Sequence, residues 1–569
     1  MMVGGTGGRG WCLVLGLALV GPPAWAQTPP TSGSRQTAAR VGVGSPPLSI
    51  SLADAVRMTL EQNNDVSIAR LDIDVAIQNV RAFEGVFDPR VTPNFGYQRS
   101  VSANTSAIGG ATQGRLERTE IDGGAGLVGR TPWAGGRFAI DFSASRLDTS
   151  NQFARLNPEF PSALTATYIQ PLARGRSIDA ERRNILLARR AVDLTDAQLT
   201  QVVMDQLTLV EEAYWDLAYA ARNIEVLAEA LGQAREQVQS NERQVTQGTL
   251  APIDVVEAQT QVSRFQQSLA TAERAMTSAE NRLKRLMLSS RTAQAWNQPL
   301  VPTDLTGRAS PQITLDEAMK QALSRRPELK TLDITLAQNE IDRTFFKSQT
   351  KPQVNVVGGY TLSGLSGDPL DTTSQPPVGT SDSALYSRLN ELSLLASLDP
   401  IDAPVTSTAT GVPPLFVGGL GTSLSNLFAR RFPTALVQVQ MDLPLRNRTA
   451  RANLARSEIV ATQLERQRQQ LEQAIESEVR DAMQAVRSSE QRLEAATSQR
   501  RYALEQYESE RRRFESGLGT VFLVLERQTV HVTSQALELR ARADHNQAIA
   551  QLERAIGGTL EWHGVKLQP

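Results

Sequence analysis

Few side chains in this sequence could carry out covalent or metal chemistry. His531, His545 and His563 are the only imidazoles, and none has the spacing of an H-E-x-x-H helix or of any other ligand set. The one thiol, Cys12, lies in an N-terminal apolar segment; once that segment is removed, no cysteine remains for a disulfide, a zinc cluster, a nucleophile or a lipid anchor. Gly124 to Gly129 spells G-x-G-x-x-G, but Arg130-Thr131-Pro132-Trp133 follows where a dinucleotide site needs a helix, so these glycines read as strand or turn residues facing a crowded neighbour. Carboxylates are abundant but alternate with arginine at three- and four-residue spacing, as from Glu508 to Arg512, the pattern of a solvated helix face. No catalytic set, cofactor site or metal site assembles from these residues. The chemistry left open is electrostatic. Asp254 and Glu257, three apart and so on one helix face, and Glu526 each follow a glycine-marked turn, where the helix dipole alone would favour a carboxylate.

The elements that position these acids are long. The chain has 569 residues with 59 basic against 60 acidic and 40% hydrophobic, enough for a sizeable core; no polybasic surplus is left to neutralise a nucleic-acid backbone. Residues 1–26 read as a signal peptide: Arg9, the apolar stretch Trp11 to Val20, then Ala24-Trp25-Ala26 as an A-x-A cleavage site. No other stretch approaches the length of a membrane-spanning helix. A flexible linker covers 27–50. Two internal repeats follow, 51–300 and 314–558, joined by a linker at 301–313 and closed by a tail at 559–569. Ser51 to Tyr97 lies on Thr314 to Tyr360 without a gap, matching Leu52/Leu315, Ala55/Ala318, Phe83/Phe346, Pro89/Pro352 and Tyr97/Tyr360.

Each repeat opens with one helical stretch of about 36 residues, capped by Ser51 or Thr314 and halted before a proline. A Gly-rich alternating region comes next. A helix of about 69 residues follows, Asp179 to Gln247 or Arg448 to Ser516, ending at Gly248 or Gly517, and then one of about 38 residues. The long helices carry a heptad seam, Val203, Leu207, Val210, Tyr214, Leu217 in the first and Val486, Ser489, Leu493, Ala496 in the second. At 1.5 Å per residue the long helix spans roughly 100 Å, about the sum of the two shorter ones, so each repeat predicts a hairpin of two equal rods.

In the alternating regions Thr434 to Leu443 sets Ala435, Val437, Val439 and Met441 against Thr434, Gln438, Gln440 and Asp442, the pattern of a transmembrane strand with one wet face. Val354 to Leu362, Val91 to Arg99 and Ser162 to Gln170 are its counterparts, giving four strands. A further hairpin near 117–147 is either a rim feature or a pair of extra spanning strands that would change the barrel count. Ser363 to about Phe432 reads as a long outer loop. Four strands cannot close a barrel, so the chain must oligomerise.

The layout resembles the outer-membrane efflux protein family, the TolC-like ducts. The resemblance rests on the Leu52-Ala53-Asp54-Ala55 and Leu315-Asp316-Glu317-Ala318 openings, on Gln170-Pro171-Leu172 and Asp442-Leu443-Pro444-Leu445, and on the turns at Arg243 to Gly248 and Arg513 to Gly517. It implies a mainly α fold of long helical hairpins, forming a periplasmic coiled-coil tunnel, below a transmembrane β-barrel. Four strands per protomer and a homotrimer would close twelve strands in the outer membrane, in contact with its lipid. It further implies passive export of solutes, with a periplasmic adaptor (membrane fusion) protein and an inner-membrane transporter as partners. The tip turns Gly248, Thr249, Leu250, Gly517, Leu518 and Gly519 would meet the adaptor, and Glu526, Asp254 and Glu257 would form the periplasmic gate; Leu523 stands where the family has a second gate acid. The competing reading is a non-conducting coiled-coil tether of the envelope.

Overall fold

The computed structural model describes residues 44, 46–105, 109–111, 113–304, 307–370, 382–401 and 411–566. The signal segment and most of the first linker, all but 44 and 46–50, lie outside them. In chain order the first repeat comprises β1 (Leu48–Ile50), α1 (Leu52–Gln62), α2 (Asn64–Glu84), β2 (Arg90–Ala103), β3 (Arg115–Arg130), β4 (Arg137–Thr149), β5 (Leu156–Pro171), α3 (Ala180–Thr246), α4 (Pro252–Met287) and β6 (Leu300–Pro302). The second comprises α5 (Leu315–Arg325), α6 (Pro327–Gln349), β7 (Gln353–Pro369), α7 (Asp382–Leu395), α8 (Leu420–Phe428), β8 (Phe432–Asp442), α9 (Arg448–Glu515) and α10 (Val521–Ala555), before the short α11 (Thr559–Trp562).

The long helices stand where their caps put them. The Asp179 carboxylate accepts the Arg182 amide at the start of α3, and Thr520 accepts that of Leu523 at the start of α10. The seam residues Val203, Leu207, Val210, Tyr214 and Leu217 are wholly buried, and the α3–α4 and α9–α10 pairs form the two hairpins. Burial pushes the Tyr214 phenol up to about 12. Its hydroxyl donates to the Ile50 carbonyl at 3.3 Å and accepts from the Asp304 amide at 3.0 Å, tying α3 to the parallel β1–β6 pair. Both stretches expected as linkers are thus partly strand, because each edge needs the other's backbone groups.

The opening helix of each repeat is broken, contrary to the single helix expected. The breaks fall at Asn63 and Arg326, equivalent positions in the two repeats. Asn63 turns its side chain to accept the Val66 amide and to donate to the Leu286 carbonyl at 2.8 Å, ending one helix and capping the next. Pro327 does the same for the second repeat by excluding helical geometry at Arg326.

The strand count also corrects the expectation. One antiparallel sheet runs β2–β3–β4–β5–β7–β8, six strands rather than four. The hairpin β3–β4 sits between β2 and β5 in continuous register, because its backbone groups have neighbours on both sides there and none at a rim. Nor is 363–432 a loop throughout. β7 continues to Pro369, and α8 lies across β5 and β7, with Ser423 Oγ 2.7 Å from Ser162 Oγ and the Asn426 amide donating to the Leu365 carbonyl at 3.0 Å.

Candidate functional site: the acidic helical tip

Both hairpins turn through the same local structure. At the end of α3, Gly248 (φ +72°) donates to the Val245 carbonyl and Thr249 to the Gln244 carbonyl; at the end of α9, Gly517 (φ +73°) donates to Phe514 and Leu518 to Arg513. This pairing satisfies the last helical carbonyls and demands the left-handed residue that glycine supplies without strain. The two turns are held side by side by Ala258, Val521 and Leu525, with Val238, Leu250 and Phe514 around them. Gly248, Thr249, Gly517 and Leu518 stay exposed, Leu518 at 75%, while Leu250 and Gly519 are half-buried.

Of the three acids singled out from the sequence, two are brought together. Glu257 on α4 and Glu526 on α10 line one groove of about 410 Å³, with Arg264, Gln261, Phe522 and Thr529. The Gln261 side chain crosses it to donate to Thr529 Oγ1 at 2.7 Å, locking α4 to α10. Among the described residues neither glutamate is ion-paired. Asp254 is placed differently: its carboxylate accepts the Ala251 amide at 3.3 Å as an N-terminal cap of α4 and is absent from the groove lining. The groove can therefore gather negative charge from two helices beside one guanidinium.

At the other end, the sheet divides its side chains by face. Register places Val91, Phe95 and Tyr97 of β2 on the same side as Leu127 of β3, Phe138, Ile140 and Phe142 of β4, Leu164 of β5, Tyr360 of β7, and Val437, Val439 and Met441 of β8. The opposite side carries Asn94, Gln98, Asp122, Asp141, Thr165, Thr361, Gln438 and Gln440. A sheet apolar on one face and polar on the other, attached to helices roughly 100 Å long, suits a lipid-embedded conduit with a wet interior. No helix among the described residues is long and apolar enough to cross a membrane.

The outer membrane efflux protein model matches residues 142–287 and 412–558, more than half of the chain and one stretch in each repeat. The chain belongs to the outer membrane efflux protein family. It is accordingly an outer-membrane channel whose helices extend into the periplasm, and not an enzyme. Among solved structures, this efflux protein is similar to the outer-membrane channel OprN (15% identity, 89% of this chain and 90% of that one, TM-score 0.57). It is similar also to the CmeC channel of Campylobacter jejuni (14%, 89% and 86%, TM-score 0.58) and to the open state of MtrE of Neisseria gonorrhoeae (15%, 90% and 89%, TM-score 0.54). No curated protein matches it.

Two buried charge clusters of this efflux protein escape the sequence reading. Lys284, 1% exposed, gives its three protons to Glu280 at 2.7 Å and to the Trp296 and Gln298 carbonyls at 3.0 and 2.6 Å, fixing the end of α4 to the segment that follows. Between α3 and α10, Glu211, Glu553 and His563 bring ligand-type atoms within 4.8 Å of one another. There Arg308 Nη1 lies 3.3 Å from Glu211 and 3.6 Å from Glu553, supplying the positive charge that such a pair would otherwise draw from a cation, and its guanidinium covers Trp562. His563 is hydrogen-bonded to Glu211, and Leu560 and Val565 pack on the core around α3, so the tail expected at 559–569 is docked at least as far as Val565. Burial first, and the Glu211 charge second, push the Glu553 carboxyl up to about 8. The available signal was the pair Glu211-Glu212 interrupting an apolar seam, but its partners lie about 100 and 340 residues away in the chain.

Proposed function

We propose that this protein is the homotrimeric exit duct of a tripartite efflux or type I secretion system, passing solutes from the periplasm through the outer membrane without performing work itself. Channels of this kind form trimers. The turns Gly248 to Leu250 and Gly517 to Gly519 are the docking points for a periplasmic adaptor protein, which joins the duct to an inner-membrane transporter that supplies the energy. The observation carrying this reading is the two-faced sheet, open at both edges, standing on paired hairpins of equal length. An envelope tether would need the helices but not the sheet.

The gate in this proposal is narrower than the three acids named from sequence. Glu257 and Glu526 share a groove beside Arg264, whereas Asp254 serves as a helix cap. Around a threefold axis, three copies of each groove acid repel one another and favour opening, so bound divalent cations favour closure, and loss of a carboxylate removes charge that holds those cations. Single-channel recording of the purified protein in planar bilayers tests both levels. The expected result is small discrete openings, blocked by divalent cations in the wild type and at least several-fold less sensitive to them in Glu526→Ala, with Asp254→Asn unchanged. Folded, reconstituted protein that never opens overturns the duct. Openings with the same cation sensitivity in both proteins keep the duct and remove the gate.

A further inference from the structure

Six strands per chain change what the membrane-embedded part must be. The β3–β4 hairpin descends the full height of the sheet. Its lower turn reaches the foot of α3, where the Gln170 amide donates to the Ala134 carbonyl at 2.8 Å, Arg130 pairs with Glu181, and a side chain at Gly135 would strike the Gly175 carbonyl. The sixteen residues of β3 and thirteen of β4 exceed the 9–11 or so that a tilted strand needs to span hydrocarbon. Both strands keep the sheet's division of faces, Leu127, Ile140 and Phe142 with the apolar set and Asp122, Asp141 and Ser143 with the polar one. A rim hairpin has no need of that alternation.

The sheet leaves β2 and β8 each unpaired on one side. Both are exposed along nearly their whole length, with Phe95 at 89% and Val437 at 81%. Unpaired edges are not tolerated in hydrocarbon, and the two edges run antiparallel to one another, so a copy of the same chain is a complementary partner for each. Following the register across the sheet leads from Val91 through Leu127, Ile140, Ala166 and Tyr360 to Ala435. Joining copies at that level would overlap only the first few residues of β2. A shift of six residues instead lays Arg90 to Ser100 against Phe432 to Asp442 over the full length of β8. It sets Val91 against Met441, Phe95 against Val437 and Tyr97 against Ala435 on the apolar face. On the polar face, Arg90 meets Asp442 and Asn94 meets Gln438. An even shift keeps the faces aligned, and six residues per copy tilt the strands by roughly 35°, within the range of closed barrels.

We infer that three copies, joined β2 to β8 in this register, close an eighteen-stranded barrel. Diameter grows roughly linearly with strand number, so the outer exit is about half again as wide as twelve strands would make it, in the range that leaves an open aqueous channel. The barrel then offers bulky solutes no constriction, and selection rests with the helical tip. This inference rests on the trimeric duct proposed above.

The test uses the full-length protein in outer membranes, with Cys12 removed along with the signal segment. The double variant Phe95→Cys with Val437→Cys should oxidise to covalent dimers and trimers on denaturing gels, while Phe95→Cys with Met441→Cys, four residues out of register, should not. Single cysteines at Asp141 and Ser143 should react with a membrane-impermeant maleimide, and those at Ile140 and Phe142 should be protected. Cross-linked trimers in which all four positions react equally overturn the eighteen strands by placing the hairpin outside the membrane. Conducting protein without the Phe95–Val437 link overturns the proposed closure and leaves the duct intact. Protein that neither cross-links nor conducts removes the duct and the barrel together.

Discussion

Replacing Lys284 with methionine should cost about 3–5 kcal/mol of stability. The pair is almost wholly enclosed, Lys284 at 1% and Glu280 at 2% exposure, and the ammonium is the shared donor to one carboxylate and two carbonyls. Methionine fills much of the same volume, so the loss would come from electrostatics: a buried carboxylate deprived of its ammonium and two carbonyls deprived of a donor. Urea unfolding of the detergent-solubilised protein measures it directly. The double variant Lys284→Met with Glu280→Leu should recover the part owed to the buried carboxylate and leave the smaller part owed to the carbonyls. A single variant as stable as wild type would show that the cluster is solvated in solution.

The second large effect is one of pH. The Glu553 carboxyl is raised from an ordinary 4.5 to about 8 by burial and by Glu211, with Arg308 the opposing influence and His563 the remaining titratable neighbour. A carboxyl that holds its proton more tightly folded than unfolded stabilises fully below about 4.5; the contribution is lost progressively as pH rises to about 8 and does not fall further above it. The whole span corresponds to a loss on the order of 5 kcal/mol. Glu553→Gln keeps the neutral shape and removes the titration, so it should flatten the decline and melt higher than wild type at pH 8.5. Melting curves at pH 5.5, 7 and 8.5 decide the matter, and parallel declines in the two proteins would refute it.

The helical half of the molecule was legible almost to the residue, because caps and glycine stops are local signals. Asp179, Gly248, Thr520 and Gly517 mark ends that the structure places within one or two residues of expectation. The breaks at Asn63 and Arg326 were masked by apolar periodicity running through them, although Pro327 was in view. The strand count failed for a different reason. On β3 the apolar face is built partly of Gly123, Ala125 and Gly129, whose small side chains carry no hydrophobic pattern; a phenylalanine ring from the adjacent strand covers each of the two glycines, Phe95 over Gly123 and Phe138 over Gly129. The tip was legible as chemistry but not as geometry. Glu257 and Glu526 are far apart in the chain, and only the packing of α4 against α10 reveals that they share a groove while Asp254 does not.

Among the described residues the β3–β4 hairpin has no counterpart in the second repeat, and it returns the chain to the side from which it left. An insertion of that kind leaves every helix on its original side of the membrane, whereas one added strand would strand the whole second repeat on the far side. Under threefold symmetry each such insertion enlarges the ring by six staves at once. On the proposed trimer, pore calibre can therefore change only in discrete steps, and an added hairpin alters the bore without altering the helical tip.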